Sequence, residues 1–408
     1  MTSELRGASA AVGRTELAKY LRGIETGKSP AAENTPAGEG EWGVLKVSAV
    51  QAGQFQSTEN KVVRDAAHIR AEFEVRPGDL LMTRANTEAL VGLACVAASP
   101  PPRLMLSDKT LRLVVDDEVA DPSFIALALL RPETRNQVRG LATGTSAGMK
   151  NISQVQIRKL AVPDVPLVGQ RRIVAAHAAF EGRIAALEST LDKLRVVRRG
   201  LVDTGVAGPL RKLGDVLAEK PRNGHSPSEA NEWTGLLTLG LGCLTSEGFI
   251  PRQLKSIPDS PVARRFRLSD GDLLMSRANT RDLVGLAGRY RDVGQPCIYP
   301  DLMMRLRPDT DLCLPSYLEL ALGSGAVRRA VQAGARGTSE SMVKISAGIV
   351  EALRIPLPDV ERQRDVVEVV GALDKRLAKQ QKAVAKLRTL QQGVVEDLLS
   401  GKVGVPAD

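Results

Sequence analysis

The four-residue string Arg-Ala-Asn-Thr occurs twice, at residues 84–87 and 277–280, and its side chains are the best suited in the chain to contact a nucleic acid. Arginine suits guanine O6 and N7 or a phosphate, and asparagine suits adenine N6 and N7. The alternative is that asparagine and threonine close a turn while the arginine pairs with a carboxylate such as Asp79 or Asp272. Because the string is identical at both places, a shared structural or phosphate-binding role is favoured over base reading. The candidates are Arg84, Asn86 and Thr87, with Arg277, Asn279 and Thr280 in the second occurrence.

Two basic segments that differ from each other, residues 54–70 and 252–267, are better placed to carry sequence choice. The alternative for each is a solvated surface segment. Their candidate contacts are Lys61, Arg64, His68 and Arg70 in the first and Arg252, Lys255, Arg264 and Arg265 in the second.

Further cations stand next to short glycine-containing strings. The string around residues 144–150 superficially resembles a phosphate loop, but the GxxxxGK[ST] spacing is missing, so helix capping or domain packing is favoured over nucleotide binding. We include four residues from these strings and their surroundings as candidate contacts: Lys28, Lys150, His225 and Lys344.

The strings recur because most of the chain is duplicated. Residues 78–94 return as residues 271–287, a shift of 271 − 78 = 193, with fourteen of seventeen positions identical. The same shift pairs Asp108 with Asp301 and Gln170 with Gln363. A register kept over more than a hundred residues predicts two copies of one domain, not a short stacked repeat.

Composition limits the class of protein. The 408 residues are 43% hydrophobic and 25% charged, which is ordinary for a soluble globular chain of two or three domains. The net charge of +9 suits a nucleic-acid partner without proving one, and 3% aromatic residues favour duplex DNA over single strands, which need stacking platforms. Three histidines and four cysteines without CxxC spacing predict a metal-free protein, and no apolar run suits a membrane or a secretion signal. We therefore expect a cytoplasmic protein.

Each copy has three predicted parts. The first is β-rich, with strands at residues 42–47, 73–75 and 79–82, and at 236–239, 266–268 and 272–275. The second is a short helix at residues 121–130 and 314–322, followed by a polar glycine-containing loop and a small segment opened by Ser153 or Ser346.

The third part is a long helix with a heptad pattern, which predicts that the two long helices pack together antiparallel as a coiled coil. The pattern continues to Leu201 and Val394, and His177 at a seam position is favoured as a packed, hydrogen-bonded core residue over a ligand or base. The seam comprises Ile173, Phe180, Ile184, Leu187, Leu191 and Leu194 in the first helix and Val366, Val370, Leu373, Leu377, Val384 and Leu387 in the second.

The order of these features resembles the DNA specificity subunit of type I restriction–modification systems. The resemblance covers residues 15–402. Four duplicated elements carry it: the leaders at 17–30 and 213–227, the Gly-Asp-Leu-Leu-Met-(Thr/Ser)-Arg strings, the Gly-Thr-Ser strings followed by Met and Ile-Ser (144–153 and 337–346), and the Pro-to-Gln-Arg segments opening each long helix (166–171 and 358–364).

The resemblance implies an α+β fold with two similar α/β target recognition domains joined by two long antiparallel coiled-coil helices. It divides the chain into an N-terminal arm (1–13), a first recognition domain (14–165), a central helix (166–208), a second recognition domain (209–357) and a distal helix (358–402). Each domain would read one half of a bipartite duplex target. Because the two halves are unusually alike, related half-sites are expected.

The resemblance also implies that the chain is not an enzyme and binds no cofactor itself. The helices would be a spacer and docking rails for two adenine-N6 methyltransferase subunits, which would hold S-adenosylmethionine, and a translocating restriction subunit can join that core. The sequence agrees in lacking the Asn/Asp-Pro-Pro-aromatic and glycine-rich motifs that such methyltransferases need. The alternatives are a DNA-binding adaptor of another phage-defence assembly and, more remotely, a coiled-coil scaffold with no nucleic-acid role.

Overall fold

A computed structural model describes residues 12–146, 148–337 and 342–403. Most of the predicted arm, residues 1–11, and positions 338–341 of the second Gly-Thr-Ser string therefore lie outside the described residues. The described residues up to Ala186 and from Val384 onward form one compact unit, unit 1, and Leu187–Ala383 form another, unit 2. The first copy of the duplicated domain lies in unit 1 and the second copy in unit 2.

Each copy is built on a four-stranded antiparallel sheet. In the first copy the strand order is Leu21–Thr26, Thr110–Val115, Asp79–Thr83, Ala94–Ala97. In the second copy it is Leu217–Asn223, Met303–Pro308, Leu273–Ser276, Ala287–Arg289. The remaining strands of the first copy are Arg14–Glu16, Trp42–Leu45, Val50–Gln51, Gln54–Phe55, Asn60–Val63, Ala85–Asn86, Leu104–Met105, Thr143–Ser146, Met149–Asn151 and Ala161–Pro163. Those of the second copy are Leu210–Lys212, Leu237–Leu239, Leu244–Thr245, Gly248–Phe249, Leu254–Ser256, Ala278–Asn279, Cys297–Ile298, Val343–Lys344 and Arg354–Pro356.

The two faces of each sheet are buried against different clusters. In the first copy Leu80 and Met82 pack with the helical side, while Leu81 between them packs with residues of the smaller sheets. This alternation is the period-two pattern of a strand covered on both faces. The apolar string Leu-Leu-Met therefore forms a central strand in both copies, as predicted.

The helices confirm most of the predicted second part. The short helices are Pro122–Leu130 and Pro315–Gly323. The polar loop predicted to follow them is wrong, because a second helix follows at once, Pro132–Leu141 and Gly325–Gly334. Only Val138 and Thr134 of the first of these are buried, so the polar majority of its residues made it look like a loop. Ser153 and Ser346 cap the predicted small segments, helices Gln154–Arg158 and Ala347–Ala352, and a fourth short helix of the second copy is Pro261–Arg264.

Two predicted strands are wrong. Residues 71–73 form a 3-10 turn, and residues 74 and 267 make only isolated bridges, to Met105 and Ile298. Each segment runs along the edge of a small sheet but pairs with it at too few consecutive residues to form a strand. Apolar and β-branched residues alone cannot distinguish these two situations.

The third part consists of the central helix, Leu167–Gly205, and the distal helix, Val360–Ser400, which both extend from one unit into the other. In unit 2 Arg198 Nε donates to Asp374 Oδ1 at 2.5 Å. The more C-terminal Gly205 of the central helix lies against the more N-terminal Val366 of the distal helix. The helices are therefore antiparallel in unit 2.

In unit 1 the same direction holds. Gln391 of the distal helix donates to Glu181 Oε1 at 2.6 Å, and the earlier Ile173 shares a core cluster with the later Leu398 and Leu399. The predicted fold class is confirmed: two similar α/β domains with paired, antiparallel long helices.

All twelve seam residues of the prediction are buried or half-buried. The register nevertheless shifts toward the end of the distal helix, where Val394 is 38% exposed and Val395 only 9%. An α-helix drifts by about 20° per heptad relative to a strict seven-residue repeat, so the buried stripe moves to the next residue. His177 is also not a fully packed core residue: its side chain is 31% exposed, and Nε2 lies 3.9 Å from Glu181 Oε1.

Candidate nucleic-acid interface

The motif arginine of the first copy is held by its backbone between two neighbouring segments. Arg84 follows the central strand Asp79–Thr83, its N–H donates to Lys109 O at 2.8 Å, and its carbonyl accepts from Ile152 N at 3.0 Å. Its side chain is exposed. The backbone is thus fixed while the guanidinium remains accessible.

The second copy repeats this arrangement almost to the tenth of an ångström. Arg277 N–H donates to Leu302 O at 2.8 Å, and Ile345 N–H donates to the Arg277 carbonyl at 2.9 Å. The Arg277 side chain is half-buried. Both copies keep this backbone geometry, which indicates a role common to both.

The motif asparagines close a turn, as one of the two interpretations of the sequence required. Asn86 Oδ1 accepts from Thr87 N at 2.8 Å, and Asn279 Oδ1 accepts from Thr280 N at 2.8 Å. Both threonines are exposed. The side-chain oxygen of each asparagine is therefore occupied by the backbone.

The other part of that interpretation, a pairing of the motif arginine with Asp79 or Asp272, is wrong. Asp79 Oδ2 accepts from Arg112 Nε at 2.8 Å, and Asp272 Oδ2 accepts from Arg305 Nη1 at 3.4 Å. Within the described parts of the chain, the guanidinium groups of Arg84 and Arg277 have no hydrogen-bond or ion-pair partner. A cation without an internal partner can bind a phosphate or a base edge without first breaking an ion pair.

A glycine brings the leader of each copy next to the motif arginine. A Cβ on Gly27 would lie 1.9 Å from Leu106 O, and one on Gly224 would lie 2.1 Å from Tyr299 O. Only glycine permits this approach of two backbones. It places Lys28 and His225, the residues that follow, beside the turn that leads into the adjacent strand.

The serines of the leaders secure this approach. Ser29 Oγ hydrogen-bonds to the Asp108 carboxylate, and Ser226 Oγ does the same to Asp301. In the second copy the Asp301 N–H also donates to Ser226 Oγ, at 3.1 Å. We call the three segments that meet here the turn cluster: residues 27–30, 84–87 and 107–109 in the first copy, and 224–227, 277–280 and 300–302 in the second.

Lys28 and His225 differ in how free they are. Lys28 is exposed and, among the residues that the structure covers, has no side-chain partner. The His225 ring stacks on Phe266 with centroids 5.5 Å apart, and the Arg222 guanidinium lies 5.0 Å from the same ring.

Most candidate cations of the divergent segments are paired internally. Arg64 binds Glu33 at 3.0 Å and Glu41 at 3.2 Å, and Lys255 binds Glu229 at 2.8 Å. Arg264 binds Asp259 at 2.8 Å, and this hydrogen bond lowers the pKa of the Asp259 carboxyl.

The other candidates of these segments divide the same way. His68 Nδ1 lies 3.5 Å from Asp65, and Arg70 Nη1 donates to the carbonyls of Ala67 and Ile69. In the described part of the chain, three candidates have no side-chain partner: Lys61, Arg252 and Arg265.

The two lysines near the Gly-Thr-Ser strings are not equivalent. Lys150 pairs with Asn86 and its Nζ donates to Gly144 O at 2.9 Å, so it holds its own loop together. In the second copy Val343, not Lys344, pairs with Asn279, and Lys344 is exposed.

Lys109 is a further candidate that was not predicted from the sequence: its side chain is exposed, and its carbonyl accepts from Arg84 N at 2.8 Å in the turn cluster. The shift of 193 that pairs Asp108 with Asp301 also pairs Lys109 with Leu302. Identity between the two copies points to shared residues, so a position at which the copies differ carries no such signal.

The described residues contain neither a metal-binding cluster nor a membrane-spanning helix. In residues 12–146, 148–337 and 342–403 no group of three or more His, Cys, Asp or Glu residues could hold a metal ion. Of the helices in that part of the chain, none has the length and apolar character needed to span a bilayer.

The structure defines a protein made of two copies of one sheet-and-helix domain, each copy carrying the same turn cluster and continuing into a long helix. No protein-family model matches the chain. In sequence it is 29% identical over 188 residues to the EcoEI specificity subunit of a type I restriction enzyme from Escherichia coli, a match that covers 46% of this chain and 32% of that subunit. It is 20% identical over 367 residues to the putative MjaX specificity subunit from Methanocaldococcus jannaschii, covering 82% of this chain and 80% of that one.

Solved structures have the same fold. The S subunit of a type I restriction–modification system from M. genitalium matches with a TM-score of 0.55 at 13% identity over 97% of this chain and 98% of that chain. A chain from a structural study of complex assembly in a type I system matches with a TM-score of 0.56 at 18% identity over 96% and 98%. These findings confirm the resemblance inferred from the sequence: this chain is similar to specificity subunits of type I restriction–modification systems.

Proposed function

We propose that this chain is the sequence-specific DNA-recognition subunit of a type I restriction–modification complex. Each copy binds one half of a bipartite duplex target. The observation that carries the proposal is the turn cluster, which presents an internally unpaired arginine on the same backbone frame in both copies, Arg84 and Arg277.

The physics of a linked pair of readers supports this function. Either copy alone would bind weakly, but linkage makes the second contact effectively intramolecular and raises the overall affinity by orders of magnitude. The net charge of +9 favours association with a polyanion.

In this proposal the partner subunits, and not this chain, carry out the methylation and cleavage of DNA. Two adenine-N6 methyltransferase subunits carry S-adenosylmethionine and a restriction subunit can join them, while this chain is non-catalytic and works in the cytoplasm. The lack of the methyltransferase motifs in the sequence supports the division of labour. A chain that modifies no base itself acts through the subunits that it brings to the DNA.

The experiment is to purify the chain with its native partners and map N6-methyladenine in the native genome. We expect a complex with two methyltransferase subunits, and a bipartite methylated motif that disappears when this chain is deleted. If the methylated motif persists in the genome after this chain is deleted, the proposal is refuted. A different enzyme bound to the chain would instead support an adaptor of another defence assembly.

Salt dependence tests the nucleic-acid contact separately. The logarithm of the binding constant for duplex DNA should fall linearly with the logarithm of the salt concentration, because each neutralised phosphate releases counterions. Absence of duplex binding even at low salt would leave only the scaffold interpretation.

A further inference from the structure

The turn cluster has the same backbone frame in both copies but different side chains at one accessible position. The carbonyl that accepts the motif arginine N–H at 2.8 Å belongs to Lys109 in the first copy and to Leu302 in the second. Lys109 is exposed and Leu302 half-buried. The side chain next to an identical arginine is therefore a hydrogen-bond donor in one copy and apolar in the other.

The motif residues themselves cannot distinguish two half-sites. Arginine, asparagine and threonine are the same in both copies, and both asparagine oxygens are bound to the backbone. Any difference between the half-sites has to come from side chains that differ and are free to reach the DNA.

Two other differences lie near the cluster, and in the second copy both side chains are engaged within their own copy. Glu25 of the first copy is replaced by Arg222 in the second, at the position facing the sheet arginine. Glu25 Oε2 accepts from Arg112 Nη1 at 2.6 Å, while the Arg222 guanidinium lies 5.0 Å from the Phe266 ring. His225, the counterpart of Lys28, is stacked on that same ring.

Position 109/302 is a difference that stands in equivalent places on the shared backbone frame. Lys109 Nζ has no partner among residues 12–146, 148–337 and 342–403. The unpaired cations of the divergent segments, such as Lys61 and Arg252, can also contact DNA, but they lie outside the turn cluster.

We propose that Lys109 and Leu302 determine a difference between the two half-sites. In the major groove a lysine donates to guanine O6 and N7, whereas an apolar side chain contacts the 5-methyl group of thymine. The half-site of the first copy then has guanine at the position where the half-site of the second copy has thymine. This inference rests on the proposed function and specifies the bases that it reads.

The test is a reciprocal exchange in the complete complex with its methyltransferase partners. Lys109→Leu and Leu302→Lys are each assayed for base preference on a library of bipartite duplexes randomised at the target positions. We expect Leu302→Lys to shift one position of the second half-site from thymine toward guanine by about tenfold, and to leave the first half-site unchanged. Lys109→Leu should weaken guanine preference in the first half-site only.

Matched variants separate base reading from other effects. Lys109→Arg keeps the donor and Leu302→Met keeps the apolar contact, so both should retain the original preferences. Circular dichroism and urea unfolding establish that each variant is folded. If Leu302→Lys does not fold, Lys109→Leu decides on its own, because Lys109 is exposed.

Two outcomes would overturn the inference alone. In one, Lys109→Leu weakens binding to every sequence by the same factor and lowers the salt slope, which identifies a phosphate contact. In the other, both exchanged variants keep all base preferences. A wild-type complex without any sequence preference would instead refute the proposed function itself.

Discussion

Arg112 donates from Nε to Asp79 Oδ2 at 2.8 Å, so an arginine of the adjacent strand neutralises the aspartate that opens the central strand. Arg112 is only 9% exposed, and Glu25 Oε2 accepts from its Nη1 at 2.6 Å. This pairing leaves the motif arginine, one strand length further along, without a carboxylate.

The second copy has a weaker version of the same contact. Arg305 Nη1 lies 3.4 Å from Asp272 Oδ2, and Arg305 Nε is buried without a partner among the described residues. The residue facing Arg305 across the sheet is Arg222 instead of a glutamate. The duplicated ion pair is therefore better satisfied in the first copy.

We predict that Asp79→Ala lowers the free energy of unfolding of unit 1 by about 2 kcal/mol, because the buried Arg112 guanidinium loses one of its two carboxylate partners and keeps Glu25. The measurement is urea unfolding followed by tryptophan fluorescence in a Trp233→Phe background, where Trp42 of the first copy is the only tryptophan. The matched variant Asp272→Ala, read through Trp233 in a Trp42→Phe background, should cost more, about 3 kcal/mol, because Asp272 is the one carboxylate that pairs with the buried Arg305 among the described residues. Equal losses in the two units would contradict the difference in geometry.

A second prediction concerns the buried glutamines at the start of the long helices. Gln170 is fully buried, its Oε1 accepts from Asp121 N at 2.9 Å, and its Nε2 donates to the carbonyls of Val119 and Val165. Gln170→Leu leaves these backbone groups unsatisfied, so we expect a loss of about 2–4 kcal/mol in the free energy of unfolding.

Gln363 makes the equivalent contacts in the second copy, to Leu314 N and to the carbonyls of Leu312 and Pro358. Gln363→Leu should therefore destabilise unit 2 by a similar amount. The control is Gln392→Leu, because Gln392 is exposed on the distal helix. If the change to leucine lowers the free energy of unfolding no more at positions 170 and 363 than at position 392, these hydrogen bonds add nothing to stability.

The third prediction separates free from paired cations. Arg84→Ala and Arg277→Ala should each weaken duplex binding about tenfold and reduce the salt slope by about one. Arg64→Ala is the control, because Arg64 is held by Glu33 and Glu41 and should matter little. The measurement is fluorescence anisotropy across a salt series. A larger effect of Arg64 than of Arg84 would move the interface to the divergent segments.

The fourth prediction is that the cysteines are inert in the folded protein. Burial raises the pKa of Cys95 and of Cys297 to about 12, and all four cysteines are buried. A thiol with that pKa is ionised to roughly one part in ten thousand at pH 8, and the thiolate is the nucleophile. Iodoacetamide at pH 8 should therefore label none of the four before urea is added. Labelling of a native cysteine would reveal an opened core.

The fifth prediction tests the long helices as a spacer. Insertion of one heptad into both the central and the distal helix adds about 10 Å. If the helices set the gap between half-sites, the recognised spacer should lengthen by about three base pairs, at about 3.4 Å per base pair. Genome-wide methylation mapping measures the gap. An unchanged spacer would show that the helices do not determine it.

The sequence by itself determined the duplication, the central strands and the long helices. These features follow from identity at a fixed shift and from apolar residues at periods of two and about three and a half, which local chemistry imposes whatever the surroundings. The sequence also drew attention to Arg84 and Arg277, because rare strings that recur are visible without a structure.

Only the tertiary structure decided which charges are free. By sequence alone either Arg84 or Arg112 could pair with Asp79, and the antiparallel register placed Arg112 beside it. Lys109 reached the turn cluster through a backbone hydrogen bond to Arg84, a residue twenty-five positions away (109 − 84 = 25). Ion pairs and the approach of distant turns depend on the packing of strands far apart in the chain, and no local pattern of residues records that packing.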